Sequence, residues 1–399
     1  MPGTRLERSK NKCKRKIAFV VPEWEWGGGG LQKTVKTIAE ELSNTWQVEI
    51  LSLRPSPVIM KIGKRNNLPI PRNVKMYMIE RSGLLSRFFA LVKFLKLHRP
   101  DLFSVHFSPL GPDFLLLLLA RKLSGISAPI VLTNHGVRYA PRRYILLSFF
   151  IKRFILPKYI DFFVSVSHDL QKFMERVWKV PLSKLTTIYN PIVSEDIYRL
   201  SEIEPEEYKA CPQSVKIVTV ARLDLKNKDF KTLLDAFALL KGKYPESKLF
   251  IVGGGGEREK RIITDWMAEL SLEDSVFLLG HRPNPFPYLR YADVFVLSSF
   301  SEGLPTVIVE AMALGCPVVA TNCPFGPREL IGNNENGIIV PVKDPKAMAE
   351  GIGKILEDKN LRQRIIENGL RKASEFFVSL SVRKCEKLFQ KFLSIRKMA

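Results

Sequence analysis

The stretch SEGLPTVIVEAMALGCPVVAT, residues 301–321, decides how this chain folds. Pro305 suits the first turn of a helix, and Gly315 suits the position just past its end. Between them the helix is apolar nearly all round, which marks it as buried. Pro317–Thr321 then reads as a short strand. Two carboxylates break the apolar pattern: Glu302 just before the helix and Glu310 within it. A carboxylate in a buried helix is costly unless it binds something. A helix start can offer N–H groups to a phosphate. Beside it, Glu310 suits a ribose diol and Glu302 a sugar hydroxyl. The plainer alternative is capping by Glu302 and a salt bridge for Glu310.

Outward from this stretch the chain alternates strand and helix in both directions. Val215–Val220, Lys248–Val252, Val276–Leu279 and Asp293–Ser298 read as strands, with helices over 230–243 and 257–271. Helices follow at 345–357, 360–373 and 378–397. Residues 193–213 are acidic, contain prolines and lack periodicity, so they read as a linker. Before them the same rhythm runs through strands at Ile17–Pro22, Val48–Leu53, Leu102–Phe107, Pro129–Thr133 and Asp161–Ser167. Helices are expected at 31–42, 82–98, 113–124, 142–156 and 168–178. The predicted class is α/β, with two Rossmann-like, doubly wound domains facing across a cleft. Their bounds read as a basic arm at 1–16, a first domain at 17–192, the linker at 193–213 and a second domain at 214–377. A final helix at 378–397 is expected to join the first domain.

In such sheets ligands sit beyond the carboxyl ends of the strands. Four places qualify. Gly27–Gly30, between a strand and a helix, lets backbone N–H groups approach an anion, or is simply a flexible turn. It is neither a Walker loop nor a spaced GxGxxG fingerprint. Gly253–Gly256 reads better as tight packing than as a binding loop. Arg222 and Lys228, after the strand at 215–220, can clamp a diphosphate and stabilise it as a leaving group, unless they are merely solvated. His135, followed by Gly136 at a strand end, is either a structural histidine or a site residue. The five cysteines show no metal-type spacing.

Composition narrows the classes. At 26% charged and 46% hydrophobic residues, the chain is an ordinary globular mixture, which excludes disorder, collagen and coiled coil. Its 399 residues suffice for two or three domains. The net charge of +22 is uneven. Residues 1–200 hold 33 Lys and Arg against 14 Asp and Glu, whereas 201–399 hold 29 against 26. The first half should therefore seek an anionic partner: nucleic acid, a membrane face or a phosphorylated substrate. No stretch reaches the roughly 20 apolar residues of a transmembrane helix, and residues 1–16 carry no signal-peptide core. The helices expected at 82–98 and 142–156 interleave basic and aromatic residues, a pattern that fits a lipid interface. Arg87, Lys93 and Lys96 lie beside Phe88, Phe89 and Phe94 in the first of them.

Taken together, ARL…K at 221–228, the Glu302 and Glu310 pair, EAMALGCPVVAT at 310–321 and NGIIVPVKDP at 336–345 resemble the GT-B, family 4 retaining glycosyltransferases. NHG at 134–136, SVSHDL at 165–170 and TIYNPI at 187–192 match in order, so the resemblance spans about residues 15–375. It implies a nucleotide-sugar held mainly by the second domain. Arg222 and Lys228 would hold its diphosphate, Glu310 the ribose and Glu302 the sugar, around the turn Gly303, Leu304 and Pro305. Gly29 and Gly30 would approach the diphosphate, and His135 would line the reaction centre. No metal and no cofactor is implied. Lys226 competes with Lys228, because the spacing from Arg222 is one residue longer than usual, and Ala221 replaces the usual glycine. TNCPFGPREL at 321–330 is similar to members that extend polyprenyl-diphosphate-linked oligosaccharides. That implies a UDP-sugar and a lipid-linked or other glycan acceptor, and the basic first half then reads as a peripheral enzyme on an anionic, cytoplasmic membrane face. A GDP-mannose-dependent mannosyltransferase is the nearest alternative. A nucleic-acid-binding protein would explain the charge but leaves the glutamate pair without a role, so no nucleic acid is expected.

Overall fold

The structure is a computed structural model and describes residues 14–24, 30–54, 73–80, 83–107, 111–136 and 156–395. The basic arm up to residue 13, Gly29 with the two glycines before it, and nearly all of the helix expected at 142–156 lie outside these residues.

Two parallel sheets carry the fold. The first holds β1 (Lys16–Glu23), β2 (Gln47–Arg54), β3 (Val74–Met78), β4 (Leu102–Val105), β5 (Ile130–Asn134), β6 (Phe162–Ser165) and β7 (Leu185–Thr187). Their spatial order is β3-β2-β1-β4-β5-β6-β7. The second holds β8 (Lys216–Val220), β9 (Lys248–Val252), β10 (Val276–Gly280), β11 (Val294–Leu297), β12 (Val318–Thr321) and β13 (Ile338–Val340), in the order β10-β9-β8-β11-β12-β13. Pairing is parallel from β3 through β6 and throughout the second sheet. Central strands such as β1, β4 and β11 are apolar and buried because helices cover both faces of a parallel sheet. Each sheet reverses its winding direction once, between β1 and β4 and between β8 and β11. These are the two crevices where a doubly wound fold places ligands.

The chain forms two compact units. One comprises residues up to Ser165, Phe173–Thr186 and those from Val382 on; the other comprises Val166–Lys172 and Thr187–Ser381. The helix Val378–Ile395 therefore packs most of its length on the first unit. There Phe389 meets Phe19 and Trp46 edge-on at 6.4 Å, and Phe392 lies 5.3 Å from Phe162. Glu386 accepts hydrogen bonds from the Trp46 indole (3.1 Å) and the Thr45 hydroxyl (3.0 Å).

Several elements differ from the sequence expectation. The segment 193–213 carries two short helices, Glu195–Leu200 and Glu206–Lys209, and groups with the second unit. Tyr208 anchors it: the ring is fully buried 4.5 Å from Phe250, and its hydroxyl donates to the Tyr288 carbonyl at 3.0 Å. One aromatic among acidic residues gives no periodic signal, although its burial contributes about 1.5–3 kcal/mol. Strands β7 and β13 and the one-turn helices Phe286–Arg290 and Pro327–Ile331 are too short for any periodicity to register, and β3 is interrupted by the exposed Lys75 and buried fully only at Val74.

Candidate functional site

In the second unit, the loop after β8 and the loop after β11 are laced together. Asp229 N–H donates to the Ser298 carbonyl (2.9 Å), and Phe300 N–H donates to the Asn227 carbonyl (2.8 Å). Asp229 then caps the helix Phe230–Lys241, accepting from Thr232 N–H at 3.1 Å and from the Thr232 hydroxyl at 2.7 Å. Lys228 is thereby carried to the β11 side. Its Nζ donates to Ser299 Oγ (3.3 Å) and ion-pairs with Glu302, which also accepts from Ser299 Oγ (2.7 Å). The Lys228 and Glu302 side chains keep 18% and 15% of their surface exposed, so the pair is largely shielded yet reachable. Ser299 is fixed in turn by Thr321 at the end of β12: Ser299 N–H donates to Thr321 Oγ1 (2.9 Å), which donates to the Ser299 carbonyl (2.8 Å).

The geometry separates the two competing lysines. Lys226 is exposed, and its backbone N–H donates to Asp224 Oδ1 at 3.1 Å, whereas Lys228 reaches Glu302. Arg222 is exposed at the mouth of the same loop. Burial pushes the Asp224 carboxyl up. Hydrogen bonds from the Asn227 amide and the Lys226 N–H, with the Arg222 charge, outweigh it and hold the group below its ordinary value. A loop built around an ionised Asp224 stays fixed at neutral pH. Gly253 and Gly255 shape it from behind. A Cβ at Gly253 would stand 1.8 Å from the Ala221 carbonyl oxygen, and one at Gly255 2.4 Å from Leu223 Cβ. The packing reading of that glycine run therefore holds at these two positions.

The turn Gly303-Leu304-Pro305 leads into the helix Thr306–Ala313, and Pro305 as its cap makes no side-chain capping hydrogen bond. That leaves N–H groups of the first turn for a ligand or solvent. Glu310 is buried in this helix at 7% exposure. The segment 322–326 braces the turn: Glu302 N–H donates to the Pro324 carbonyl (3.3 Å). Gly326, at φ +89°, approaches so closely that a Cβ would stand 2.5 Å from Pro305 Cδ. Glu329, in the same motif, accepts from the His168 and Asp169 N–H groups at 2.9 and 3.0 Å and from Tyr189 Oη at 2.8 Å. It caps the helix His168–Trp178, so two of the sequence signatures, SVSHDL and TNCPFGPREL, meet as structure. Burial holds the Cys316, Cys323 and Cys385 thiols up at about 12, protonated and poor nucleophiles at neutral pH.

In the first unit the crevice residues are imidazoles. His135 follows β5 and His106 follows β4, and His106 Nδ1 lies 2.9 Å from His135 Nε2. His106 Nε2 contacts Ser104 Oγ at 2.8 Å. Burial lowers His135 to about 4; burial, and then the charge His135 would carry, holds His106 well below 6.5. Both rings are neutral at pH 7. His106 gives no sequence signal, since a single histidine after an apolar strand is unremarkable until its neighbour 29 residues on is placed beside it. Gly30 opens the helix Gly30–Leu42; Gly29 is outside the described residues.

The helices Leu84–His98 and Pro112–Leu123 are joined by Asp113, which is buried and paired with Arg87 (2.7 Å) and Arg54. Phe94 lies in the core, stacked on His98 at 4.2 Å, so it and Arg87 leave the lipid-facing set read from the sequence. Outward-facing residues remain: Leu85, Phe89, Lys93, Lys96 and Leu97 on the first helix, and Leu115, Leu119 and Leu123 on the second. Leu85 and Leu97 are 75% and 74% exposed. Among the described residues no helix is long and apolar enough to cross a membrane, and no cluster of three or more metal-ligand side chains occurs.

Two family models match the chain in succession: "Glycosyltransferase Family 4" over residues 28–196 and "Glycosyl transferases group 1" over 201–372. An uncharacterised glycosyltransferase of Methanocaldococcus jannaschii is 26% identical over 77% of this chain and 83% of its own length. The N-acetylgalactosamine-N,N'-diacetylbacillosaminyl-diphospho-undecaprenol 4-alpha-N-acetylgalactosaminyltransferase of Campylobacter jejuni is 27% identical over 88% of this chain and 93% of its own. Among solved structures, Anabaena HepE in complex with UDP-glucose superposes with a TM-score of 0.75 at 19% identity, covering 94% of this chain and 99% of that one.

Proposed function

Because the chain belongs to the group 1, family 4 glycosyltransferases and uses a nucleotide-sugar donor, we propose that it moves a hexose or N-acetylhexosamine from a UDP-sugar, with retention, to a lipid-linked glycan. The observation that carries this reading is the Lys228–Ser299–Glu302 cluster, at the switch point of the second sheet and in the loop that also bears Arg222. Arg222 and Lys228 supply two cations where a diphosphate would leave. Fixed charge aimed at a developing anion is the largest single source of rate enhancement in most enzymes. In the structure Lys228 and Glu302 neutralise each other. A donor diphosphate would draw Lys228 to itself and release Glu302 to accept hydrogen bonds from the sugar. Glu302 thus orients the donor and is not a nucleophile, and the leaving phosphate takes the proton of the attacking hydroxyl on the same face. Glu310 would hold the ribose, and His135 would line the reaction centre. The cations do the work a metal would otherwise do at the diphosphate.

The acceptor reading rests on the Campylobacter relative, whose name specifies an undecaprenol-diphosphate acceptor, and on the first half's charge. Exposed leucines and Phe89 beside Lys93 and Lys96 suit the interface of an anionic, cytoplasmic leaflet. The test is a donor panel, UDP-sugars against GDP-mannose, with mass spectrometry and anomeric analysis of products on extracted lipid acceptors. Glu302→Ala and Arg222→Ala are each expected to abolish transfer while leaving the circular dichroism spectrum intact. Near-normal rates in both variants would sink the site.

A further inference from the structure

The first unit contains a polar chain, buried at Ser104 and His106 and partly exposed at His135, that the donor site does not use. Ser104 Oγ, His106 Nε2, His106 Nδ1 and His135 Nε2 follow one another at 2.8 and 2.9 Å, with His106 bridging the serine and the second imidazole. His106 is 2% exposed and Ser104 1%. Phe19 flanks the His106 ring at 5.6 Å, and the His106 N–H donates to the Val20 carbonyl at 2.9 Å, so that residue is held from both ring and backbone.

Two imidazoles in direct N···N contact share one hydrogen between them: one ring must donate and the other accept. The state of one nitrogen therefore dictates the other three. If Ser104 donates to His106 Nε2, then His106 Nδ1–H donates to His135, which carries its own hydrogen on Nδ1. If Ser104 accepts, every hydrogen shifts along the chain and His135 Nδ1 becomes the free acceptor. The nitrogen that His135 turns away from His106 is thus a donor or an acceptor according to a residue it does not touch. Which ring nitrogen of a histidine bears hydrogen is set by the bond its other nitrogen makes.

We infer that His106, seated by Ser104, is a positioning residue that locks His135 into one neutral tautomer and one ring orientation. Its link to the reaction rests on the proposal that His135 lines the reaction centre; the lock itself does not. The consequence is that His135 presents a single hydrogen-bonding character to whatever lies against its outer nitrogen. It does so without titrating across the neutral range.

With only five histidines in the chain, selective 15N-histidine labelling and long-range 1H–15N correlation at pH 7 resolve each ring. The lock predicts one clean neutral-tautomer pattern for His135 in the unliganded protein. It should collapse to an averaged pattern in His106→Phe, and also in His106→Asn, whose amide stands near the former Nδ1 but no longer reaches Ser104. Should His106→Phe fail to fold, Ser104→Ala removes a hydroxyl alone and should let the two tautomers of the pair interconvert. An averaged His135 in the native protein, or an unchanged pattern in both His106→Phe and Ser104→Ala, overturns the inference. On the transfer reaction, loss of such an outer partner is expected to lower kcat about 10–100-fold, with the donor KM unchanged. If the native protein transfers no sugar from any donor in the panel, the functional reading fails while the spectrum still decides the lock.

Discussion

The two crevices share a topology and differ in everything that chemistry uses. Both sheets place their first strand in the middle and reverse direction beside it. After β8 and β11 stand charged side chains: Lys228 paired with Glu302, and Arg222 in the same loop near an ionised Asp224. After β4 and β5 stand two imidazoles kept neutral by burial. One backbone plan therefore carries a cluster of charged side chains in one unit and a pair of uncharged, hydrogen-bonded imidazoles in the other. The lesson is that topology selects where a site lies, and the loop residues select what it can bind.

That contrast can be broken most decisively at the lysines. Lys228→Ala is expected to lower kcat/KM on the preferred donor by about 100-fold or more, as removal of one preorganised transition-state partner typically does. Lys226→Ala should stay near native. Equal losses in both would mean that the loop, not the Lys228–Glu302 pair, carries the charge. A smaller effect is expected at the brace. Gly326→Ala forces a side chain into a left-handed conformation and against Pro305, costing about 1–3 kcal/mol. It should raise the donor KM, and an unchanged KM and melting temperature would remove the brace from the account.

The imidazole pair predicts a pH signature that the charged crevice lacks. Each histidine has a folded pKa below its unfolded value near 6.5. The unfolded chain therefore binds more protons as pH falls, and stability present above about pH 6.5 is lost progressively toward about pH 4. His106→Phe should make that fall in melting temperature shallower; an identical slope would show that the loss comes from other groups. The smallest expected effect is at the surface. Reversing Lys93 or Lys96 to Glu should weaken flotation with anionic liposomes at low salt, each basic residue contributing about 1 kcal/mol near an anionic leaflet. Absence of binding by the native protein would remove the membrane from the proposal.

Much of this was legible in the sequence where the signal is local. The strand–glycine–helix rhythm gives both sheets, because a buried parallel strand and an amphipathic helix each write their period into consecutive residues. Glu302 and Glu310 stand out because a carboxylate is out of place around so apolar a helix. What stayed hidden is what depends on distant partners. Lys226 and Lys228 are equivalent by spacing until Phe300 N–H meets the Asn227 carbonyl and turns Lys228 toward Glu302. Glu329 is one carboxylate among 40 acidic residues until the N–H groups of His168 and Asp169 are seen on it.

The helix Val378–Ile395 has a consequence for biosynthesis. The indole of Trp46 is met by Glu386, which is translated 340 residues later, and Phe389 and Phe392 cover Phe19 and Phe162 from the same helix. As the ribosome delivers the polypeptide, the earlier-made unit must wait with part of its aromatic core uncovered. The later-made unit, most of which is continuous from Thr187 to Ser381, already has its residues in hand. The first-made unit thus completes its aromatic packing only when its closing helix emerges, which sets it apart from the usual vectorial order in which the first-made part folds first.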